Sequence, residues 1–125
     1  MSAAIVVAAL VAGAVGASAR YGVAVAFAGV PRRLPLAVLL VNVAGSIIAG
    51  AVLAIVAQSG NADLRYIVLS GFAGGLTTFS TFGTETVQLV LEGRLRIAVA
   101  SVAANVSLGA AAVAGAWWVT TALLT

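Results

Sequence analysis

The placement of nine charges constrains this chain more than any other feature. They are Arg20, Arg32, Arg33, Asp63, Arg65, Glu85, Glu92, Arg94 and Arg96, with no Lys and no His. Between them lie long uncharged runs: residues 1–19, 34–62, 66–84 and 97–125. A membrane-crossing helix needs about 20 mainly apolar residues. The runs therefore predict four spans, at residues 3–27, 35–57, 66–91 and 96–123. Together they make one all-α membrane domain over residues 1–125. Composition excludes the soluble alternative. Hydrophobic residues are 63 % and charged residues 7 % of the 125, against about 25 % charged in a typical soluble domain. So small a domain cannot bury that much apolar surface. A disordered chain needs the opposite balance.

The connections agree. Gly29, Pro31, Arg32 and Arg33 separate the first two spans. Ser59, Gly60, Asn61 and Asp63 separate the next two, and Glu92-Gly93-Arg94 the last two. These are turn formers and charges at headgroup depth. All are short, so neighbouring helices should be antiparallel. Trp117 and Trp118 suit an interfacial anchor. Ala17-Ser18-Ala19 resembles a signal-peptidase site, but no basic region precedes it and apolar sequence resumes after Arg20. The expectation is that this segment is retained as a span.

Missing residue types narrow the chemistry. With no Cys and no His, there is no thiol nucleophile, imidazole base or His/Cys metal site. The three acids show no spacing that suggests a shared metal. The formal charge of +3 arises from scattered Arg, without a basic stripe interleaved with aromatics, so it does not point to nucleic acid. Hydroxyls, amides, aromatics and backbone remain. That set suits binding and conduction rather than enzymatic bond breaking.

Small residues recur every fourth position: Ala9, Gly13 and Ala17; Ser46 and Gly50; Ser101, Asn105 and Gly109. Such stripes let helices approach closely. The third span holds Gly71-Phe72-Ala73-Gly74-Gly75-Leu76-Thr77-Thr78-Phe79-Ser80-Thr81-Phe82. Three Gly and a Thr pair are weak helix material, which predicts a break near the bilayer midplane. Irregular backbone survives there only when buried in protein or lining a hydrated cavity. Freed carbonyls at such breaks can coordinate cations. Asn42 and Asn105 sit at depth and need polar partners. Arg20 and Glu85 are charges in or near the membrane, read as vestibule or structural groups.

These stretches, with Gly13-Ala14-Val15-Gly16-Ala17-Ser18-Ala19-Arg20-Tyr21 and Asn42-Val43-Ala44-Gly45-Ser46, resemble the Fluc (CrcB) family of fluoride channels across all four spans. The resemblance implies an antiparallel, dual-topology dimer with two pores in the cell membrane, moving fluoride out of the cytoplasm. It implies a central sodium ion held by the backbone carbonyls of Gly74 and Thr77. It implies that Asn42, Phe79, Ser80, Thr81, Phe82 and Asn105 line or adjoin the fluoride pathway. Gly109 stands where the family usually has a hydroxyl. Ser107 lies about 200° around the helix from Asn105 and cannot replace it.

Elementary chemistry points the same way. Fluoride is small and strongly hydrated, so a pore must replace water with close donors. Asn amides and Ser or Thr hydroxyls donate without a full charge. Aromatic edges carry the positive end of the ring quadrupole, and Phe79 and Phe82, three apart, share a helix face. No phosphate-binding Gly-rich loop occurs, so no nucleotide drives transport. A small four-span cation or drug exporter is the alternative. It needs an acid in the first span, and that span has none. Basic residues lean toward placing both termini outside: Arg32, Arg33, Arg94 and Arg96 lie on one side and Arg65 on the other. The expected assembly is a homodimer of oppositely inserted copies. Pairing with an oppositely biased paralogue is the alternative.

Overall fold

The computed structural model of the chain describes residues 1–30 and 34–125. Arg32 and Arg33 of the first connection lie outside the described residues. All regular structure among the described residues is helical. Three of these helices are long and apolar enough to cross a membrane: α1 (Ala3–Ala26), α2 (Leu36–Ser59) and α6 (Leu95–Leu124). Their ends fall within two residues of the expected first, second and fourth spans.

Local chemistry sets those ends. Ser2 begins α1, its hydroxyl accepting from the Ile5 N–H at 3.4 Å, which satisfies one of the orphan donors of a first turn. Pro35 immediately precedes α2, where its missing N–H costs nothing. Gly60 ends α2 at φ 65°, and Gly93 follows the helix that ends at Leu91 at φ 74°. Both turns need the left-handed backbone that glycine adopts without steric penalty.

Residues 62–91 differ from the three long helices. They run through α3 (Ala62–Leu64), a π-helical segment (Arg65–Ala73), α4 (Gly74–Leu76) and α5 (Ser80–Leu91). Thr77 is extended, at φ −78° and ψ 161°. No piece alone is long enough to cross a bilayer. A π-turn widens the helix and is an uncommon arrangement, frequent at functional sites.

Two backbone-close interfaces hold the bundle together. In the first, α1 lies against the π-segment and α4. A Cβ on Gly71 would stand 2.6 Å from the Ala9 carbonyl. Cβ atoms on Gly16 and Gly75 would run into the carbonyls of Phe72 and Gly13. The stripe on α1 thus uses Ala9, Gly13 and Gly16. In the second interface, α2 lies against α6, where a Cβ on Gly50 would meet the Val113 carbonyl. Close approach of this kind supplies the van der Waals contact that replaces hydrophobic driving force in lipid. Much of the remaining apolar surface is uncovered, including Val7, Leu10, Val11 and Val15 on α1.

A methyl group at position 16 has nowhere to go, whereas nothing lies within 4 Å of one at Gly22. Gly16→Ala should destabilise the protein by about 1–3 kcal/mol through overpacking. Gly22→Ala should leave it within about 0.5 kcal/mol of the parent. Thermal unfolding in detergent micelles compares the two.

Candidate functional site

The site is built around the peptide groups released where α4 stops. Beyond Leu76 the regular ladder ends, leaving N–H and C=O groups that need other partners. Thr77 still donates its N–H, at 3.0 Å, and its hydroxyl, at 2.9 Å, to the Ala73 carbonyl. Its own carbonyl accepts from Arg20 Nη1 on α1 at 3.1 Å. Thr78 is secured from α2. Its N–H donates to Asn42 Oδ1 at 2.9 Å, and its carbonyl accepts from Asn42 Nδ2 at 3.2 Å. One amide side chain therefore reads one peptide in both directions.

The same Asn42 Nδ2 donates to Asn105 Oδ1 on α6 at 3.0 Å. Asn105 Nδ2 in turn donates to the Ser101 carbonyl one turn back at 2.9 Å. An amide nitrogen has two N–H donors, so both of Asn42's are engaged while one of Asn105's remains.

Thr78 is 7 % exposed and organises the start of α5. Its Oγ1 accepts from the Thr81 N–H at 3.1 Å, as a helix-capping hydroxyl does. The same oxygen lies 3.1 Å from Thr81 Oγ1 and 3.4 Å from Ser80 Oγ. Ser80 and Thr81 are thereby brought to the break, with Asn42 and Asn105 behind it. Thr78, Ser80 and Thr81 also line a cavity of about 340 Å³ with Arg20, Tyr21 and Glu85. One positive and one negative side chain share that space.

Phe79 and Phe82 form a pair apart from this polar cluster. Their ring centroids are 6.1 Å apart and their planes tilted by 49°, within the range of an edge-to-face contact. Phe79 is 85 % exposed, so its ring projects away from its own chain. Gly74 is exposed as well, and a Cβ there would meet only the Leu69 carbonyl, at 3.7 Å.

Thr78 is not among the site residues the sequence singles out. Its signal was the Thr78-Phe79-Ser80-Thr81 order, a hydroxyl three residues ahead of an N–H that opens a helix. Arg20 was read as a charge without an assigned partner. The Thr77 carbonyl, 57 residues away, was not deducible from local pattern.

The family described as "CrcB-like protein, Camphor Resistance (CrcB)" matches residues 7–117. A fluoride-specific ion channel FluC from Saccharophagus degradans is 39 % identical over 103 residues, 81 % of this chain and 77 % of the relative. The FluC of Paracoccus denitrificans is 39 % identical over 101 residues, covering 81 % and 82 %. That of an Enterobacter species is 34 % identical over 116 residues, covering 91 % of each.

Removing the Asn42 amide strands the Thr78 peptide. Asn42→Leu keeps the volume and loses both bonds. A buried donor or acceptor left without a partner costs about 1–3 kcal/mol. Thermal unfolding should register that loss, while Ser18→Ala, which removes an exposed hydroxyl bonded to its own helix, should not.

Proposed function

The chain belongs to the CrcB-like family, and on that premise we propose that it is a passive fluoride-selective channel, not an enzyme. It is a multi-pass membrane protein that lets fluoride leave the cytoplasm and so limits its toxicity. The observation that supports this most directly is the gathering of uncharged donors at residues 77–82. Ser80, Thr81 and the remaining N–H of Asn105 lie around one interruption of the helix. Asn42 holds that interruption, and by giving up the Asn105 carbonyl it presents an N–H to the ion. None of these groups carries a full positive charge, so an anion meets donors it can also leave.

Hydrogen fluoride is a weak acid that crosses bilayers and ionises inside. A negative interior then drives the anion outward by about 2.3 kcal/mol per 100 mV, so export needs no further energy source. The exposed ring of Phe79 and the half-buried ring of Phe82 offer their edges to the ion or to a second copy. In this reading residues 62–91 form the third of four crossings, interrupted near the midplane. Two copies pair in opposite orientations, giving two pores. The uncovered apolar face of α1 is consistent with such pairing.

A sodium ion fits the donors at the break. Hard cations take oxygen ligands, and Gly74, at an exposed position, and Thr77, half-buried, supply carbonyl oxygens. The Thr77 carbonyl accepts one bond from Arg20, and a carbonyl oxygen has two lone pairs. These two carbonyls from each of two copies would hold the ion, which would supply positive potential beside the path.

Fluoride efflux from liposomes, read with a fluoride electrode, tests the assignment. Wild-type protein should release fluoride and retain chloride. Asn42→Asp sets a carboxylate against an anion in low dielectric, where repulsion is large, and should abolish efflux. Phe79→Ile and Phe82→Ile keep bulk without a ring edge and should each cut flux at least about tenfold, which is about 1.4 kcal/mol in the barrier. Normal efflux in all three variants refutes the pathway.

Orientation has its own test. Reporters at the C-terminus of the chain expressed alone should label both sides of the membrane. Labelling of the outside only, with no efflux from the lone chain, would replace the homodimer by a pair with an oppositely biased paralogue.

A further inference from the structure

The α2–α6 interface keeps a single register. Asn42 meets Asn105, 63 residues on. One turn along both helices, Ser46 meets Gly109: a Cβ on Gly109 would stand 3.5 Å from Ser46 Oγ. Another turn along, Gly50 meets Val113. The offset is the same at each step, so the two helices run side by side in the same direction. Each position on α2 has one facing position on α6.

The Ser46 hydroxyl is not tied to its own helix, a trait it shares with Ser70, Ser101 and Ser107; what sets it apart is the position it faces. A Ser or Thr within a membrane helix commonly donates to the carbonyl four residues back. Ser18, Thr77, Thr84, Thr86 and Thr125 are among those that do so here. Among the described residues Ser46 Oγ makes no such bond. It faces α6 at Gly109, which has no side chain. Gly50 further along is filled by the Val113 carbonyl, whereas at Gly109 the only atom within 4 Å of an added Cβ is Ser46 Oγ.

We infer that Ser46 is a further fluoride-pathway residue. Its hydroxyl supplies, from α2, the donor that Gly109 cannot supply from α6, one helical turn beyond the Asn42–Asn105 pair. Gly109 sets no side chain in front of that hydroxyl. This inference rests on the channel reading above. It extends the line of neutral donors from Thr81 and Ser80 through Asn105 to Ser46.

Liposome efflux of four proteins decides it. Ser46→Ala should lower fluoride flux about tenfold, about 1.4 kcal/mol in the barrier, with elution volume and thermal unfolding unchanged. Adding Gly109→Ser to Ser46→Ala returns a hydroxyl from the opposite helix and should restore flux. Adding Gly109→Ala to Ser46→Ala restores bulk without a donor and should not. Wild-type flux in Ser46→Ala, or equal rescue by Gly109→Ala, overturns the role of Ser46. If Asn42→Asp still abolishes efflux in that case, the channel reading stands. Failure of wild-type protein to conduct fluoride removes both.

Discussion

A peptide group without a partner inside a bilayer costs several kcal/mol, and the chain is arranged around three residues where helix geometry lapses. Thr77 and Thr78 would be untenable in hydrocarbon alone. Arg20 from α1 takes the Thr77 carbonyl, Asn42 from α2 takes both faces of the Thr78 peptide, and Asn105 from α6 steadies Asn42. Each long helix contributes one polar side chain to the same interruption. The glycine contacts on α1 and α2 let those side chains reach, because they bring backbones close enough for short side chains to bridge.

The division between charge and dipole follows from that arrangement. Among the described residues Arg20 is the guanidinium that reaches the interruption, and it is spent on a carbonyl. The groups left over are hydroxyls and one amide N–H, each a weak donor by comparison. In the proposed channel an anion passing along them would be attracted in small steps. A bare guanidinium in the same place would hold it, as charge-assisted bonds are about twice as strong as neutral ones.

Much of this was legible in the sequence, and the rest was not for a definite reason. The nine charges and the turn residues mark the ends of α1, α2 and α6, because lipid depth and hydropathy are local properties. The Gly and Thr content of residues 71–78 signals weak helix, also a local property. Which atoms then receive the freed peptide groups depends on contacts 36, 57 and 63 residues apart. No window of sequence contains them. Ser46 shows the same limit. Its four-residue spacing from Gly50 reads as packing, and only the facing position on α6 distinguishes a packing serine from an open hydroxyl. The π-helical turns at Arg65–Ala73 had no signal we can identify in their residue types.

The partners of the interruption are also ordered along the chain. Arg20 and Asn42 are synthesised before Thr77 and Thr78, and only Asn105 comes after. When the weak stretch leaves the ribosome, the two side chains that satisfy its peptides have already been made. In the proposed four-span topology the interruption can therefore be closed as it enters the bilayer, without waiting for the last helix. α6 then docks against a completed surface. A permuted chain that began at the middle segment would have to insert the same residues with their polar groups exposed to lipid, and translation order would work against the fold.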